Sequence, residues 1–379
     1  MLLIVVSEVA ATTVNMDTRK SLIRMKDMTT KFGIVQHSNL EVPDTSFYYS
    51  VDDSSRGLIA LARCSDKFQM KNVADVYLSY AEGAFRDDGF FENYRSPAGV
   101  FGSRGFGENE NPGDPENPNL LKDCFGRTVW SLAEFAASEY STRERSRAKT
   151  LIDLALGHIN LSRIDTEKSL AFLGIGLSKI LEDDKRDYVV EMAFEFGEKL
   201  HRLYEKHSDK DWRAYSDEIT YCAARTSHAM LALGEALKST EYIGIGMDTL
   251  EMLNKYTFDK NLMFHPIGNG NPDANTTGTA WLGKGKLMAL FDAQSVEAGC
   301  AAEALAVAER LRPGEGHGVL AKNGVAWYHG KNSAGIKMVR PSGAVYDSIT
   351  GPRSVNENCG AEPLVMYLNA SAAIRNMAV

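Results

Sequence analysis

The stretch 168–207 decides the fold class, because it places two helical patterns of opposite character side by side. Residues 168–180 read KSLAFLGIGLSKI, a run that is apolar or small on nearly every side. Residues 184–207 read DKRDYVVEMAFEFGEKLHRLYEKH, in which charged residues cover one face. A helix that is hydrophobic all round is buried, whereas a charged face belongs at the surface. The stretch therefore predicts an inner helix followed by an outer one.

The same alternation extends along the whole chain. Helical periodicity predicts about twelve helices, at 15–32, 54–64, 70–85, 123–139, 143–159, 166–181, 185–206, 218–237, 240–256, 293–311, 319–330 and 358–376. The even-numbered ones are apolar and rich in small residues, and the odd-numbered ones carry more charge. Six inner–outer pairs are typical of an (α/α)6 toroid, a closed ring of six helical hairpins. A helical solenoid is the rival architecture, but its repeats would be more even in length.

We therefore predict an all-α fold in which residues 1–379 form a single (α/α)6 toroid domain and residues 1–14 form an N-terminal arm or short strand. Three long connections, at 86–122, 257–291 and 331–357, are rich in Gly, Asn and Pro. Each follows an outer helix and precedes an inner one, so a toroid would place all three on one rim. They leave room for short β-hairpins, and loops of this length are usually functional or disordered.

Composition narrows the choice of partners. The formal net charge is −8 and the pI is about 5.6, with no basic stripe, so we expect neither nucleic acid nor an anionic membrane as a partner. The five cysteines are far apart and form no CxxC motif, which argues against a disulfide framework or a zinc site. The first residues are too short an apolar run for a signal peptide or a membrane span. We predict a cytoplasmic protein with no metal and no cofactor.

Acidic residues stand at the start of every predicted inner helix. They are Asp52 and Asp53, Asp123, Asp165, Asp217 and Glu218, Asp292, and Glu357 with Glu362 one turn further in. A single acid, such as Asp165, is explained by helix capping. Doubled acids, and an acid with an arginine four residues later, go beyond capping because i and i+4 share one helix face. The pairs Asp52/Arg56 and Asp123/Arg127 have this spacing, and Tyr221/Arg225 repeats it with a phenol.

A cup of acids, arginines and aromatic rings is suited to sugars, since charged groups bind hydroxyls and aromatic faces cover a pyranose. Trp281, in a polar loop, is the strongest candidate for such an aromatic platform. Cleavage of a glycosidic bond needs two carboxyl groups across the bond. We expect Asp53 and Asp123 to be catalytic, with Asp292 third. Which carboxyl group is the acid and which the base is left open.

Six segments, in order along the chain, resemble one family. They are SVDDSSRGLIALAR (50–63), KDCFGRTVWSLAEF (122–135), EITYCAARTSHAMLAL (218–233), FHPIGNG (264–270), FDAQSVEAGCAAEAL (291–305) and NENCGAEPLVMYLNA (356–370). This pattern resembles the six-hairpin (α/α)6 proteins related to glycosidases, which are often fused to or encoded beside glycosyltransferases. The resemblance implies the toroid fold, a sugar ligand and a glycosyltransferase partner.

The resemblance also implies a set of polar site positions. In this chain they fall on Asp52, Asp53, Arg56, Asp123, Arg127, Tyr221, Arg225, Asn269, Asp292, Gln294, Glu297, Asn358 and Glu362. The chain departs from the family pattern at Ser54, at Cys222 and Ala223, and at Pro363. The substrate-binding residues expected are those polar positions outside the three catalytic acids, together with Trp281.

Three functions are compatible with this reading. The first is a glycoside hydrolase, or a phosphorylase that would need a cationic pocket built from Arg56, Arg127, Arg225, Lys284 and Lys286; its ligand would be an oligosaccharide or a sugar phosphate. The second is a non-catalytic glycan-binding partner of a glycosyltransferase. The third is a sugar epimerase, for which His228 and His265 are the available proton carriers.

Overall fold

The computed structural model describes residues 17–64, 69–102, 118–270 and 281–377. These residues form twelve α-helices: α1 Arg19–Asp27, α2 Val51–Arg63, α3 Lys71–Ala84, α4 Pro118–Ala136, α5 Thr142–His158, α6 Glu167–Asp183, α7 Asp187–His207, α8 Arg225–Leu237, α9 Thr240–Thr257, α10 Ser295–Leu311, α11 His317–Tyr328 and α12 Ala361–Met377. The predicted arm over 1–14 lies outside the described residues.

The even-numbered helices form a closed inner ring. Each packs against the next even-numbered helix, and α12 packs against α2 to close the circle. The odd-numbered helices lie outside, α3 on α2, α5 on α4, α7 on α6, α9 on α8, α11 on α10 and α1 on α12. The predicted (α/α)6 toroid is confirmed.

Small residues let the inner helices approach closely. A Cβ on Gly126 of α4 would lie 2.9 Å from the backbone N of Leu173 in α6, and one on Gly176 of α6 would lie 3.0 Å from the backbone of Trp130. The outer helix α7 instead buries a stripe that includes Val189, Ala193, Phe196, Gly197 and Leu200. This spacing of three and four residues is that of one helix face against a core.

Short strands occupy the connections, as the sequence allowed. They are β1 Thr29–Thr30, β2 Gly33–Ile34, β3 Ser38–Asn39, β4 Val42–Pro43, β5 Tyr49–Ser50, β6 Tyr94–Arg95, β7 Glu218–Ile219, β8 Leu282–Gly283, β9 Ala293–Gln294, β10 Ser348–Gly351 and β11 Ser354–Asn356. All described pairings are antiparallel: β1–β2, β3–β4, β5–β6, β7–β8 and the three-stranded order β11–β10–β9.

These pairings place the described parts of the long connections at one end of the ring, which we call the mouth. Strand β6 lies beside β5, which leads into α2, and β10 lies beside β9, which leads into α10. In the second connection, the backbone N–H of Asn269 donates to the carbonyl of Asp292 at 3.1 Å, so this connection folds back toward the segment that leads into α10. The predicted common rim is present in the described residues.

Two predicted helices are shorter than the periodicity indicated. Helix α8 begins at Arg225 and not at 218, because Glu218–Ile219 pairs with β8 and Cys222 adopts a left-handed φ of 52° that a helix cannot continue through. The segment 15–32 contains α1 only up to Asp27, and Thr29–Ile34 then turns back as the β1–β2 hairpin at Gly33, φ 144°. Pairing with a distant strand overrides helical periodicity before α8, and a local hairpin overrides it after α1.

The acids at the helix starts are not caps. Ser50 caps α2, its hydroxyl accepting from the Asp53 N–H at 3.0 Å, and Thr166, not Asp165, caps α6. Asp123 lies in the second turn of α4, because α4 begins at residue 118. The expectation that these acids begin their helices is wrong for Asp123, Asp217 and Glu218. In the described part of the chain, no helix combines the length and the apolar character needed to cross a membrane.

Candidate functional site

The start of α2 supplies the first charged group of the mouth. The serine cap leaves the carboxylate of Asp52 free to bind cations, and its Oδ2 lies 2.7 Å from Nη1 of Arg56, the predicted i, i+4 pair. Arg56 is 5% exposed and reaches across to α12, where its Nη2 lies 2.8 Å from Oε1 of Glu362. Arg56 therefore joins the first and last inner helices of the ring, Asp52 on one side and Glu362 on the other.

Arg127 of α4 extends this network. Its guanidinium pairs with Asp52, not with Asp123 as the spacing predicted, and lies 4.1 Å from the ring centre of Phe172. Asp123 accepts hydrogen bonds from the hydroxyls of Tyr221 and of Thr166, the latter at 3.1 Å. The i, i+4 rule failed here because partners on neighbouring helices of a tight ring are as close as partners on the same helix.

Asp53 is the buried neighbour of this network. It is 4% exposed, and its Oδ2 accepts a hydrogen bond from the Ser50 hydroxyl at 2.8 Å. Burial and the nearby Glu362 raise the pKa of Asp53 to about 6, although Arg56, 3.7 Å away, favours the ionised form. Burial likewise raises the pKa of Asp123, opposed by its hydrogen bonds from Tyr221 and Thr166.

The opposite side of the mouth carries two further acids. Asp292 is 8% exposed, and burial raises its pKa. Asp347, half-buried, accepts from Nδ2 of Asn356 at 3.0 Å. Burial, followed by the charges of Glu362, Asp292 and Asp53, raises the pKa of Asp347 to about 7. The charges of these four carboxyl groups therefore affect one another's pKa across the mouth.

Asp347 was not predicted from the sequence. Its only signal is an acid between apolar residues in a long rim connection, within VYDSITG (345–351). Such an acid looks like an ordinary loop residue until the β9–β10 pairing places it against α10, where its carbonyl accepts from the Ser295 N–H at 2.9 Å.

Glu297 and Arg225 lie deeper than the mouth. The carboxyl group of Glu297, 3% exposed, accepts from the backbone N–H groups of Cys222 and Ala223, the latter at 2.9 Å. Burial and the neighbouring Cys222 raise the pKa of Glu297 to about 8. Glu297 thus holds the segment that carries Tyr221. Expected as a substrate contact, it acts in this structure on the backbone.

Arg225 points into the ring. Its guanidinium pairs with Glu303, lies 4.8 Å from the ring centre of Trp130 and contacts Nδ1 of His228 at 3.1 Å. Burial and the nearby Arg225 lower the pKa of His228 to about 3. His228 is therefore neutral at physiological pH, and it sits among buried charges.

A small cavity lies beneath the mouth. Three guanidinium groups, from Arg56, Arg127 and Arg225, line it together with the thiols of Cys222 and Cys300. Its volume is about 10 Å³, which is room for roughly one water molecule. A ligand larger than water would have to bind above this cavity, among the half-buried groups of the mouth.

The remaining predicted residues surround the mouth. Asn269, Trp281 and Gln294 are half-buried there. The backbone N–H of Asn269 donates to the Asp292 carbonyl at 3.1 Å, and that of Trp281 donates to the Gly268 carbonyl at 2.9 Å. Asn358 is occupied by the N-terminal segment, since its Oδ1 accepts from the Ser38 N–H at 2.9 Å.

Four of the acids that marked the predicted helix starts do not join the site. Asp165, Asp217, Glu218 and Glu357 are exposed. Asp165 pairs with Lys122, and the Asp217 carboxylate lies 3.2 Å from Nδ1 of His207. These four follow the ordinary preference of charged residues for the surface.

Solved structures with the same architecture match nearly the whole chain. Cellobiose 2-epimerase from Bacillus thermoamylovorans B4167 aligns with a TM-score of 0.66 at 10% identity, covering 95% of this chain and 98% of that one. A D-mannose isomerase gives a TM-score of 0.65 at 10% identity, with coverages of 94% and 95%. The GH76A alpha-1,6-mannanase from Salegentibacter sp. HEL1_6 gives 0.57 at 11% identity, with coverages of 95% and 98%.

Comparison by sequence gives no match, either to a protein-family model or to a curated protein. The likeness to solved structures is therefore one of fold. In this chain the even-numbered helices close an inner ring, and Arg56 joins acids of α2 and α12 at its mouth. The chain has the (α/α)6 toroid fold of the six-hairpin glycosidase-like proteins.

Proposed function

We propose that this chain is a carbohydrate-active enzyme that hydrolyses a glycosidic bond at the mouth of the toroid. The observation that carries the proposal is the coexistence, at one opening, of a carboxyl group that lies among other acids, Asp347, and one that pairs with an arginine, Glu362. Asp347 has a pKa of about 7 and can hold a proton near neutral pH. Glu362 forms an ion pair with the Arg56 guanidinium at 2.8 Å. Glycoside hydrolysis requires one carboxyl group that donates a proton and a second that accepts one.

In this proposal, Asp347 donates a proton to the leaving oxygen and Glu362 acts as the base that activates water. Both side chains are accessible, since Asp347 is half-buried and the Glu362 side chain is 33% exposed. Asp53, Asp123 and Asp292, the expected catalytic acids, are each less than one-tenth exposed. They stay part of the proposed site, where their charges influence the protonation of neighbouring groups. Asp123 also positions Tyr221, and Asp53 positions Ser50.

Hydrolysis is favoured over phosphorolysis by the pairing of the arginines. Arg56 pairs with Asp52 and Glu362, Arg127 with Asp52, and Arg225 with Glu303. A phosphate dianion would have to displace these carboxylates from the guanidinium groups. Of the two lysines predicted for a phosphate pocket, Lys284 and Lys286, Lys284 pairs with Asp209 at 2.7 Å. A water molecule would not have to displace these carboxylates.

The epimerase alternative receives less support from the histidines. His228 is buried with a pKa of about 3, so it cannot relay protons near neutral pH. Nε2 of His265 lies 3.5 Å from Oδ2 of Asp259, near the start of the second long connection. The solved structures of similar fold are named for enzymes acting on sugars, which supports a saccharide ligand. The cytoplasmic location and the glycosyltransferase partner stay predictions from the sequence.

The test is turnover of an oligosaccharide panel by the protein alone, with and without inorganic phosphate. We expect release of free sugar independent of phosphate, with activity that falls as the pH rises through about 7, because Asp347 then loses its proton. Asp347→Asn and Glu362→Gln should each lose activity, whereas the control Asp217→Asn, an exposed acid of the α7–α8 connection, should keep it.

Release of sugar phosphate only when phosphate is present would replace hydrolysis by phosphorolysis. Saturable binding of a glycan without any turnover would support the non-catalytic partner instead. Turnover that survives in both acid variants would refute the assignment of Asp347 and Glu362.

A further inference from the structure

Two cysteines from distant parts of the chain meet in the cavity beneath the mouth. Cys222 lies just before α8 and Cys300 lies in the second turn of α10. Both side chains line the same small cavity. Neither thiol has a role in the sugar chemistry proposed above.

The surroundings of this pair are strongly positive. Arg56, Arg127 and Arg225 converge on the cavity from α2, α4 and α8. The hydrogen bond from Cys300, and then the three guanidinium charges, lower the pKa of Cys222 to about 6 in spite of its burial. Burial and donation to Cys222 raise the pKa of Cys300. Neighbouring cations favour the thiolate, which is the nucleophilic form of cysteine.

The other charged groups around Cys222 do not oppose its ionisation near neutral pH. Glu297, whose carboxyl group accepts the Cys222 N–H, has a pKa of about 8 and so is largely neutral there. Glu303 is held by Arg225 and Arg63.

We propose that Cys222 and Cys300 form a redox-active thiol pair that a hydroperoxide converts into a disulfide. In the first step, the Cys222 thiolate attacks one peroxide oxygen and the O–O bond breaks, giving the Cys222 sulfenic acid and hydroxide (or alkoxide). In the second, the Cys300 sulfur attacks the sulfenic sulfur. The S–S bond forms, the S–O bond breaks and the leaving hydroxide takes up the Cys300 proton as water. Two thiols are oxidised by two electrons while the peroxide is reduced.

Disulfide formation would alter the mouth through a movement of the backbone. The two sulfurs must approach to about 2.05 Å to form a disulfide, which would draw Cys222 toward α10. Tyr221, the neighbouring residue, donates to Asp123, and the Cys222 N–H is bound to Glu297. We therefore expect oxidation to disturb the Tyr221–Asp123 contact. The redox proposal itself does not depend on what the mouth binds.

The experiment treats the full chain with hydrogen peroxide and counts thiols after denaturation. We expect wild type to fall from five thiols to three, with proteolytic peptides of Cys222 and Cys300 joined by a bond that dithiothreitol cleaves. Cys300→Ser should instead accumulate a sulfenic acid at Cys222 that a 1,3-dione reagent traps. Cys222→Ser should show neither product. The matched control Cys124→Ser, another fully buried cysteine, should still lose two thiols.

Retention of all five thiols by folded wild type, or cross-linked peptides that pair other cysteines, would overturn the proposal. The peptide map of wild type decides the question even if a serine variant fails to fold. Loss of sugar turnover with the redox result intact would concern only the proposed function, so the two can fail separately.

Discussion

The carboxylate of Glu303 offers the sharpest test of how this ring holds buried charge. It lies between Arg225 and Arg63 in the ring interior, and the side chains of Glu303 and Arg225 are 2% and 3% exposed. Glu303→Gln keeps the shape of the side chain and removes its charge. Two guanidinium groups then face a neutral amide, and the support of Arg225 under the cavity is weakened.

Two independent routes give the magnitude. Burial alone would raise the pKa of Glu303, but Arg225 and Arg63 lower it from 4.5 to about 2. At about 1.4 kcal/mol per unit of pKa, this corresponds to roughly 3 kcal/mol. Removing one partner of a buried ion pair costs about 3–5 kcal/mol in other proteins. For 379 residues the unfolding entropy is roughly 0.8 kcal/mol per kelvin, so the melting temperature should fall by about 4–6 °C.

The pH dependence has a definite sign. A carboxyl group whose pKa is depressed on folding adds stability above its unfolded pKa of 4.5, and this is lost as the pH falls toward 2. The gap between wild type and Glu303→Gln should be complete at pH 7 and narrow on acidification. Differential scanning calorimetry over that range measures it.

The matched control is Glu182→Gln. Its carboxylate lies 2.6 Å from Lys179, but the Glu182 side chain is 58% exposed, and exposed pairs contribute about 0–1 kcal/mol. A melting temperature of Glu303→Gln within about 1 °C of wild type, or a deficit as large in acid as at neutral pH, would show that this charge cluster does not stabilise the ring.

Two further substitutions probe the entry to α2 and the spacing of the ring. Ser50→Ala removes the α2 cap and the hydroxyl that donates to Asp53. Urea denaturation should show that the free energy of unfolding falls by about 1 kcal/mol, and the pKa of Asp53 should rise further. An unchanged denaturation midpoint would contradict the capping role. Gly126→Ala places a Cβ 2.9 Å from the backbone of α6, and this overpacking should lower the free energy of unfolding by about 1–3 kcal/mol. The control Gly157→Ala, whose Cβ would meet nothing within 4 Å, should not destabilise the protein. Equal denaturation midpoints for the two variants would count against close packing of α4 on α6.

Much of the fold was open to prediction from the sequence. The contrast between KSLAFLGIGLSKI and the charged helix after it is a local property, since burial of a helix on all sides requires apolar or small residues on all sides. Repeated through the chain, it led to the inner and outer rings and to the long connections on one rim. The end of α1 was missed because the local β1–β2 hairpin follows it, and the start of α8 was missed because β7 pairs with the distant strand β8.

The candidate site, like the fold, could be predicted from the sequence only in part. The sequence by itself determined which residue types collect at the mouth, because a motif such as SVDDSSRG places Asp52 and Arg56 on one helix face. Only the tertiary structure decided their partners. Arg127 binds Asp52 of another helix, Asp347 becomes the half-buried acid, and Cys222 meets Cys300. The physical reason is that hydrogen bonds, burial and pKa depend on distances across the ring, and sequence spacing records distance only within one helix.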